Sequence, residues 1–409
     1  MSHGRVASGA RLGAAGAAFI IVGGLLTVLF IYGIYSRQTL SEASPLHALA
    51  PWGLMVTGYV FFAISSGGVY DALAIRVAIL GQREARNEIR KLLVLALALL
   101  VPGIALVFAD LLHIEHSLWI YLGFNPESRI AWNGILYIVY AAFLLATMVY
   151  VFNKGEDSLY TGLGKALLVG GLLASLALEY NLALAFGYNV AIPGWFAAPL
   201  GVFNIALAFM LGAAWIAIGL GVVARAASKL SLEEWRHNIP SVSKELAGMA
   251  LAVGFITGWM LLQQTGWGLA EKTAEILTSG ELAGLFWLSI LLAVIVPISL
   301  GLIATWRKAG AALLLASVLA VLGGFTLLHS VVAAGQVVRL EALEDYHALA
   351  LHSIGENYAE EALHELLTSR AELASVIGAI GLWLLLYVLG LQILAVEPYE
   401  KPRRLLLFR

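Results

Sequence analysis

Apolar runs close to the length that crosses a bilayer, about 20 residues each, recur along the whole of this chain. Hydropathy places ten of them, at approximately 14–36, 51–75, 91–112, 131–152, 162–186, 198–224, 246–267, 283–306, 310–336 and 372–395. Of 409 residues, 61% are hydrophobic and only 12% charged, whereas a soluble domain carries roughly 25% charged residues. The expected fold is therefore all-α, a polytopic bundle of about ten transmembrane helices in which 1–409 form a single integral membrane domain.

The distribution of Lys and Arg tests the span count independently, because cytoplasmic loops are enriched in both. With ten spans and a cytoplasmic N-terminus, the inner segments hold nineteen of the 24 Lys and Arg. They run from Arg5 and Arg11 through Arg76, Arg83, Arg86, Arg90, Lys91, Lys154, Lys165, Arg225, Lys229, Arg236, Lys244, Arg307 and Lys308 to the C-terminal Lys401, Arg403, Arg404 and Arg409. The outer segments hold Arg37, Arg129, Lys272, Arg339 and Arg370. Dropping one span would invert this asymmetry for alternate loops, so both termini are expected to be cytoplasmic and the protein to be multi-pass in the cell membrane. Arg5 and Arg11 precede an apolar run that resembles a signal peptide, but Ala14 to Tyr35 is longer than a signal core of 7–15 residues. It is read as the first span.

No cysteine is present, which excludes disulfides, thiolate zinc sites and Cys-ligated iron–sulfur clusters within this chain. Positive charges are scattered in short loops and the formal net charge is −2, which offers no basic patch to nucleic acid. The last outer segment, 340–372, is acidic, with Glu341, Glu344, Asp345, Glu356, Glu360, Glu361 and Glu365 among His347, His352 and His364. Leu351, Ile354, Tyr358, Ala362 and Leu366 recur there at helical spacing, predicting an amphipathic helix outside the bilayer. It reads either as a solvated surface helix or as a docking face for another subunit. Glycine pairs within spans, such as Gly67-Gly68 and Gly323-Gly324, suit close helix packing.

Ionisable residues inside spans are costly and default to functional hypotheses. Asp110 falls near the outer end of the third span, and Glu179, roughly 21 Å beyond Lys165 at 1.5 Å per residue, in the outer third of the fifth. His329 lies towards the outer end of the ninth. Asp71 lies at the inner end of the second, five residues before Arg76, a spacing read as an interfacial ion pair. Glu179 is expected to be neutral or to donate to Tyr180 or Asn181. Asp71, Glu179 and His329 are the candidate proton-path residues. Asp110 and His113 share a face if the third helix continues that far, with His116 three residues on. His47, Trp119, Tyr121, Trp132 and Tyr137 lie on the same outer side.

Three chemistries fit that gathering. Trp and Tyr form an aromatic belt at any bilayer interface. Two histidines on facing helices, such as His113 and His329, could clamp a haem, although no matched pair recurs at the inner side. A quinone headgroup would use His and Tyr as hydrogen-bond donors and a nearby carboxylate or histidine as proton relay.

The run from Pro51-Trp52-Gly53 to Tyr59-Val60-Phe61-Phe62-Ala63-Ile64-Ser65-Ser66-Gly67-Gly68 resembles the first core span of the NrfD/PsrC family, membrane subunits of polysulfide-reductase-type oxidoreductases. Ala109-Asp110-Leu111 followed by Asn125-Pro126-Glu127-Ser128 and Trp132 is similar to that family's element joining two spans, and Pro193-Gly194-Trp195 fits its turn before the sixth span. The likeness covers 51–224 as core helices. After Asp110-Leu111 the family often has Gly-Arg-Pro, whereas this chain has Leu112-His113-Ile114, which predicts a more helical backbone there.

What the resemblance implies is a haem-free anchor without iron–sulfur clusters of its own. It would exchange electrons between menaquinone or another quinone and a ferredoxin-like iron–sulfur subunit on the outer face, and through that subunit with a molybdopterin catalytic subunit. The headgroup site would correspond to His47, Trp52 and Tyr137, with Asp110 and His113 adjacent, and no residue here would ligate a metal. Ten spans resemble the longer members, as in DsrP/HmeC-like and alternative complex III assemblies. The rival readings are a membrane carrier, which would need broken helices near the midplane, and a family member that serves only as anchor or proton conduit.

Overall fold

The computed structural model describes residues 13–40, 52–111, 114–188, 195, 199–266, 268–350 and 369–394. Ten helices among them are long and apolar enough to cross a membrane, and no strand occurs among the described residues. They are α1 (Ala14–Leu40), α2 (Leu54–Ala74), α3 (Ile89–Asp110), α4 (Arg129–Lys154), α5 (Gly162–Gly187), α6 (Leu200–Ile218), α7 (Leu232–Gln264), α8 (Ala283–Arg307), α9 (Gly310–Ala350) and α10 (Arg370–Ile393). The end of the bundle where α1 finishes and α2 begins is called the upper end below.

Helix α2 is the axis of the molecule. Every one of its residues except Tyr59 is buried, and it packs against α3, α5, α6, α9 and α10. Its closest neighbour is α6, where a methyl group on Gly68 would strike the Ala208 carbonyl and one on Gly212 would strike the Gly68 backbone. Two helix backbones in direct contact need glycine on both sides. Tyr70 fills the opposite side against Gly171 of α5. Both α2 and α6 end in a π-helical turn at the lower end, Ile75–Ile79 and Gly219–Ala224. A third π turn, Leu291–Ile295, lies within α8 just before Pro297, whose missing N–H interrupts the helical ladder.

Helices α1 and α10 form a pair on the flank of this core. Their contact is lined by Gly23, Gly33, Gly378 and Gly381, each of which meets the backbone or Cβ of the other helix. Through α10 the pair reaches α2 and α3.

Two boundaries depart from the hydropathy reading. Helix α7 starts at Leu232, well before the expected 246, because Ser231 and Glu234 form a reciprocal capping box: Glu234 N–H donates to Ser231 Oγ at 3.2 Å and Ser231 N–H to Glu234 Oε2 at 2.8 Å. The polar residues of that first stretch, among them Arg236, Asn238 and Lys244, hid it from a hydropathy window. Helix α9 continues past 336 to Ala350, so part of the acidic outer segment prolongs a spanning helix. Residues 351–368 of that segment lie outside the described residues. At the lower end, Arg90 pairs with Glu156 at 2.6 Å with both side chains buried, and Glu88 accepts from Asn238, tying α3 to the loop after α4 and to α7.

Gly68→Ala is expected to cost about 3 kcal/mol, since neither backbone can move aside without unpacking α2. Thermal melting of the detergent-purified protein checks this, with Gly248→Ala, which faces open space, as the neutral reference.

Candidate functional site

Tyr59 is the single α2 residue that is half-buried rather than buried, and what surrounds it comes from three other helices. From α4, Tyr137 Oη donates to the Tyr59 carbonyl at 3.4 Å. That bond is long for a hydroxyl donor, and a hydroxyl so loosely held is free to turn to a better acceptor. From the end of α3, the half-buried Asp110 carboxylate lies close enough to Tyr59 to act on it electrostatically. About two turns above, Trp52 and Gln336 of α9 form a two-bond pair: Trp52 N–H donates to Gln336 Oε1 at 3.0 Å, and Gln336 Nε2 donates to the Trp52 carbonyl at 2.6 Å. The Trp52 ring stacks on Trp195 with centroids 5.0 Å apart and meets Phe186 edge-on. Trp195 is itself anchored by its indole N–H to the carbonyls of Val331 and Val332.

Asp110 is not alone. Arg37 near the end of α1, only 4% exposed, donates to Asp110 Oδ1 at 2.7 Å and pairs with Glu372 at the start of α10. Glu372 Oε2 in turn accepts from the Met55 N–H, one of the otherwise unpaired amides in the first turn of α2, at 3.3 Å. A side chain on Gly53 would collide with the Glu372 carboxylate, which explains glycine at this position.

A second polar group lies deeper. Asp71 is twelve residues below Tyr59, about 18 Å along the helix, and is fully buried. Beside it are the Glu179 carboxylate and the Ser175 hydroxyl of α5. Ser175 Oγ donates to Glu179 Oε1 at 3.2 Å, Asn204 Nδ2 holds the Glu179 backbone carbonyl at 2.6 Å, and Gly67 leaves the space that Glu179 enters. The groups placed to bond Asp71 are the Ser175 hydroxyl and the Glu179 carboxyl. Two carboxyl groups in contact, in a medium this apolar, are satisfied together when one carries a proton and donates it to the other. Around them run further hydroxyls: Tyr140 to Ser66 at 2.9 Å, Ser66 to the Ala96 carbonyl at 2.7 Å, and Tyr70 to Thr147 at 2.9 Å.

The expected Asp71–Arg76 ion pair does not form. Arg76 pairs with Glu245 of α7 instead, because five residues along a helix separate two side chains by about 140° and the π turn begins between them. Nor does Glu179 donate to its chain neighbours: Tyr180 packs against Gly201, and Asn181 Nδ2 donates to the Arg129 carbonyl at 2.9 Å and Asn133 Oδ1 at 2.7 Å. The third helix ends at Asp110, with Leu111 extended; of the Leu112-His113-Ile114 stretch expected to be more helical, 112 and 113 lie outside the described residues and Ile114 opens a short 3-10 helix, Ile114–Leu118. His47 and His113 lie outside the described residues. His329 sits on the α9 face of α2, its Nδ1 3.0 Å from Thr57 Oγ1 and its ring stacked on Phe325. Trp119 and Tyr121 are exposed, and Trp132 is held by the Pro126 carbonyl at 2.9 Å, away from Tyr137.

Of the expected site residues, the structure brings Asp110 and Tyr137 together around Tyr59, sets Trp52 about two turns above, and joins Asp71 to Glu179. Tyr59, Arg37, Glu372 and Gln336 were not singled out from sequence. A tyrosine seven residues after Trp52, on the same helical face, was the available signal for the first. Nothing local signalled the other three.

The family described as polysulphide reductase, NrfD, matches residues 43–340. The match takes in α2 to α8 and most of α9, and leaves out α1 and α10. No curated protein matches the chain.

Replacing Glu179 with Gln, whose amide can donate to Asp71, is expected to leave the melting temperature unchanged. Glu179→Leu leaves Asp71 with the Ser175 hydroxyl but without its carboxyl partner and should lower stability by about 1–3 kcal/mol. Equal melting of the two variants would show that the carboxyl pair is not bonded.

Proposed function

The chain belongs to the NrfD family of polysulphide-reductase-type membrane subunits, and from that premise we propose that it exchanges electrons with quinone at the Tyr59–Tyr137–Asp110 opening. The observation that carries this reading is that Tyr59 alone is half-buried on an otherwise buried helix, with a weakly held tyrosine hydroxyl and a carboxylate beside it. A quinone carbonyl needs a donor that can re-aim, and the Tyr137 hydroxyl is one. A hydrophobic tail needs an apolar path in from lipid, and the exposed Phe108 and Ile138 flank this region of α3 and α4.

In the proposed role the upper end faces away from the cytoplasm, following the Lys and Arg asymmetry. Oxidation of one quinol releases two electrons and two protons. The electrons pass to a ferredoxin-like iron–sulfur subunit docked at the upper end and through it to a molybdopterin subunit; reduction runs the same step backwards. Protons are exchanged at the Tyr137 hydroxyl and the Asp110 side. Trp52 shapes the wall above the headgroup, and His47 and His113 complete the expected set. The protein would sit in the cytoplasmic membrane.

A conduit function is favoured by a separate observation, the buried Asp71–Glu179 pair with its surrounding hydroxyls. In this reading the pair stores one proton between the lower end and the interior. His329, bonded to Thr57, would serve the upper stretch.

Purification from native membranes in mild detergent, with mass spectrometry of the co-purifying chains, tests the assembly: a Cys-rich ferredoxin-like partner is expected, and a chain that reproducibly emerges alone defeats it. Within such a complex, Tyr137→Phe is expected to slow quinol turnover at least about tenfold, the loss of roughly one hydrogen bond, while the subunits stay associated. Unchanged kinetics would move the quinone elsewhere.

A further inference from the structure

The two carboxylates that frame the Tyr59 opening are joined by one guanidinium, and that guanidinium comes from a helix outside the family-matched residues. Arg37 (α1) bonds Asp110 at the end of α3 and Glu372 at the start of α10. Both α1 and α10 lie beyond 43–340. Glu372 holds the Met55 amide, and Met55 is one turn above Tyr59. The chain of bonds from Met55 through Glu372 and Arg37 to Asp110 therefore spans the opening, fixing the first turn of α2 relative to the last turn of α3.

Helix electrostatics make the two ends of this bridge unequal. Glu372 sits at the N-terminal ends of two helices, α2 through the Met55 amide and α10 within its own first turn. The partial positive charge of each favours a carboxylate there. Asp110 sits at the C-terminal end of α3, where unpaired carbonyls carry partial negative charge and repel a carboxylate. Among the described residues, Glu372 has the Met55 N–H as a donor besides Arg37, whereas the donor to Asp110 is Arg37. The cation on α1 is what allows an anion at the mouth of the opening.

We propose that Arg37 and Glu372 are positioning residues of the upper quinone site, and that the α1–α10 pair belongs to that site. Arg37 keeps Asp110 turned away from α3 and against the bridge, which leaves the space beside Tyr59 open to a ring. Glu372 holds the α2 turn that sets the height of Tyr59. The glycine-lined contact between α1 and α10 makes the pair move as a unit, so the bridge cannot be lengthened by sliding one helix. This assignment rests on the quinone reading of the site.

The test is fluorescence titration of the detergent-purified full chain with 2-heptyl-4-hydroxyquinoline N-oxide, a quinol analogue whose emission is quenched on binding, beside a thermal melt of each sample. Arg37→Gln is expected to weaken binding at least tenfold, Arg37→Lys to restore it to within about threefold, and Glu372→Gln to weaken it by several-fold while Arg37 still holds Asp110. If Arg37→Gln does not fold, the Lys and Glu372→Gln variants carry the comparison. Wild-type affinity in Arg37→Gln, or in Glu372→Gln when only that variant folds, overturns the positioning role, whatever happens to the melting temperature. Absence of binding by the wild-type protein instead removes the quinone reading, and the proposal with it.

Discussion

The backbone contact between Gly68 and Gly212 is the constraint on which the rest of the bundle depends. In lipid, apolar side chains gain nothing by meeting one another rather than acyl tails, so helices associate through close packing and polar contacts. Glycine on both sides brings α2 and α6 to backbone distance, and α2 can then be enclosed by five other helices with almost no surface of its own. Once α2 is enclosed, its polar groups find partners on neighbouring helices: Thr57 meets His329, Ser66 meets Tyr140 and the Ala96 carbonyl, and Tyr70 meets Thr147. The single exception to enclosure, Tyr59, is where the chemistry is sought.

The molecule handles buried charge in two ways. At the upper end two carboxylates are matched to one guanidinium, with helix termini supplying the remainder. Deeper in, two carboxyl groups meet beside a serine, with no cation joining them among the described residues. Removing one partner of a buried ion pair typically costs 3–5 kcal/mol, so the first arrangement suits a fixed frame. The second sets two acidic groups side by side, an arrangement in which one proton can be shared between them. The frame and the exchangeable site lie at different depths of one helix axis.

Much of this was legible in the sequence, and the part that was not has a common cause. Hydropathy counts apolar residues, so the ten spans emerged with most ends within a few residues, and the extended stretch from Trp52 to Gly68 was recognisable by its motif. Hydropathy carries no rotation about a helix axis and no list of neighbours. Asp71 was therefore assigned to Arg76, close in sequence but on another face, while its real neighbour, Glu179, is more than a hundred residues away. Arg37 counted as a loop cation because it stands near the end of an apolar run, yet its side chain is buried between two carboxylates. The capping box at Ser231 was present in sequence, but polar neighbours made its helix look like a loop.

The bond between Glu372 and the Met55 amide joins residues 317 positions apart. During synthesis α2 enters the membrane early, and the first turn that carries Trp52 and sets Tyr59 waits for its carboxylate until the tenth helix follows. Until then the Glu372 carboxylate is missing from beside Gly53 and Arg37. The upper opening is thus the last part of the bundle to take its final form, and a chain halted before α10 would hold the core helices without the geometry around Tyr59. The order of insertion gives the cell a interval in which the subunit is in the membrane but its opening is not yet built.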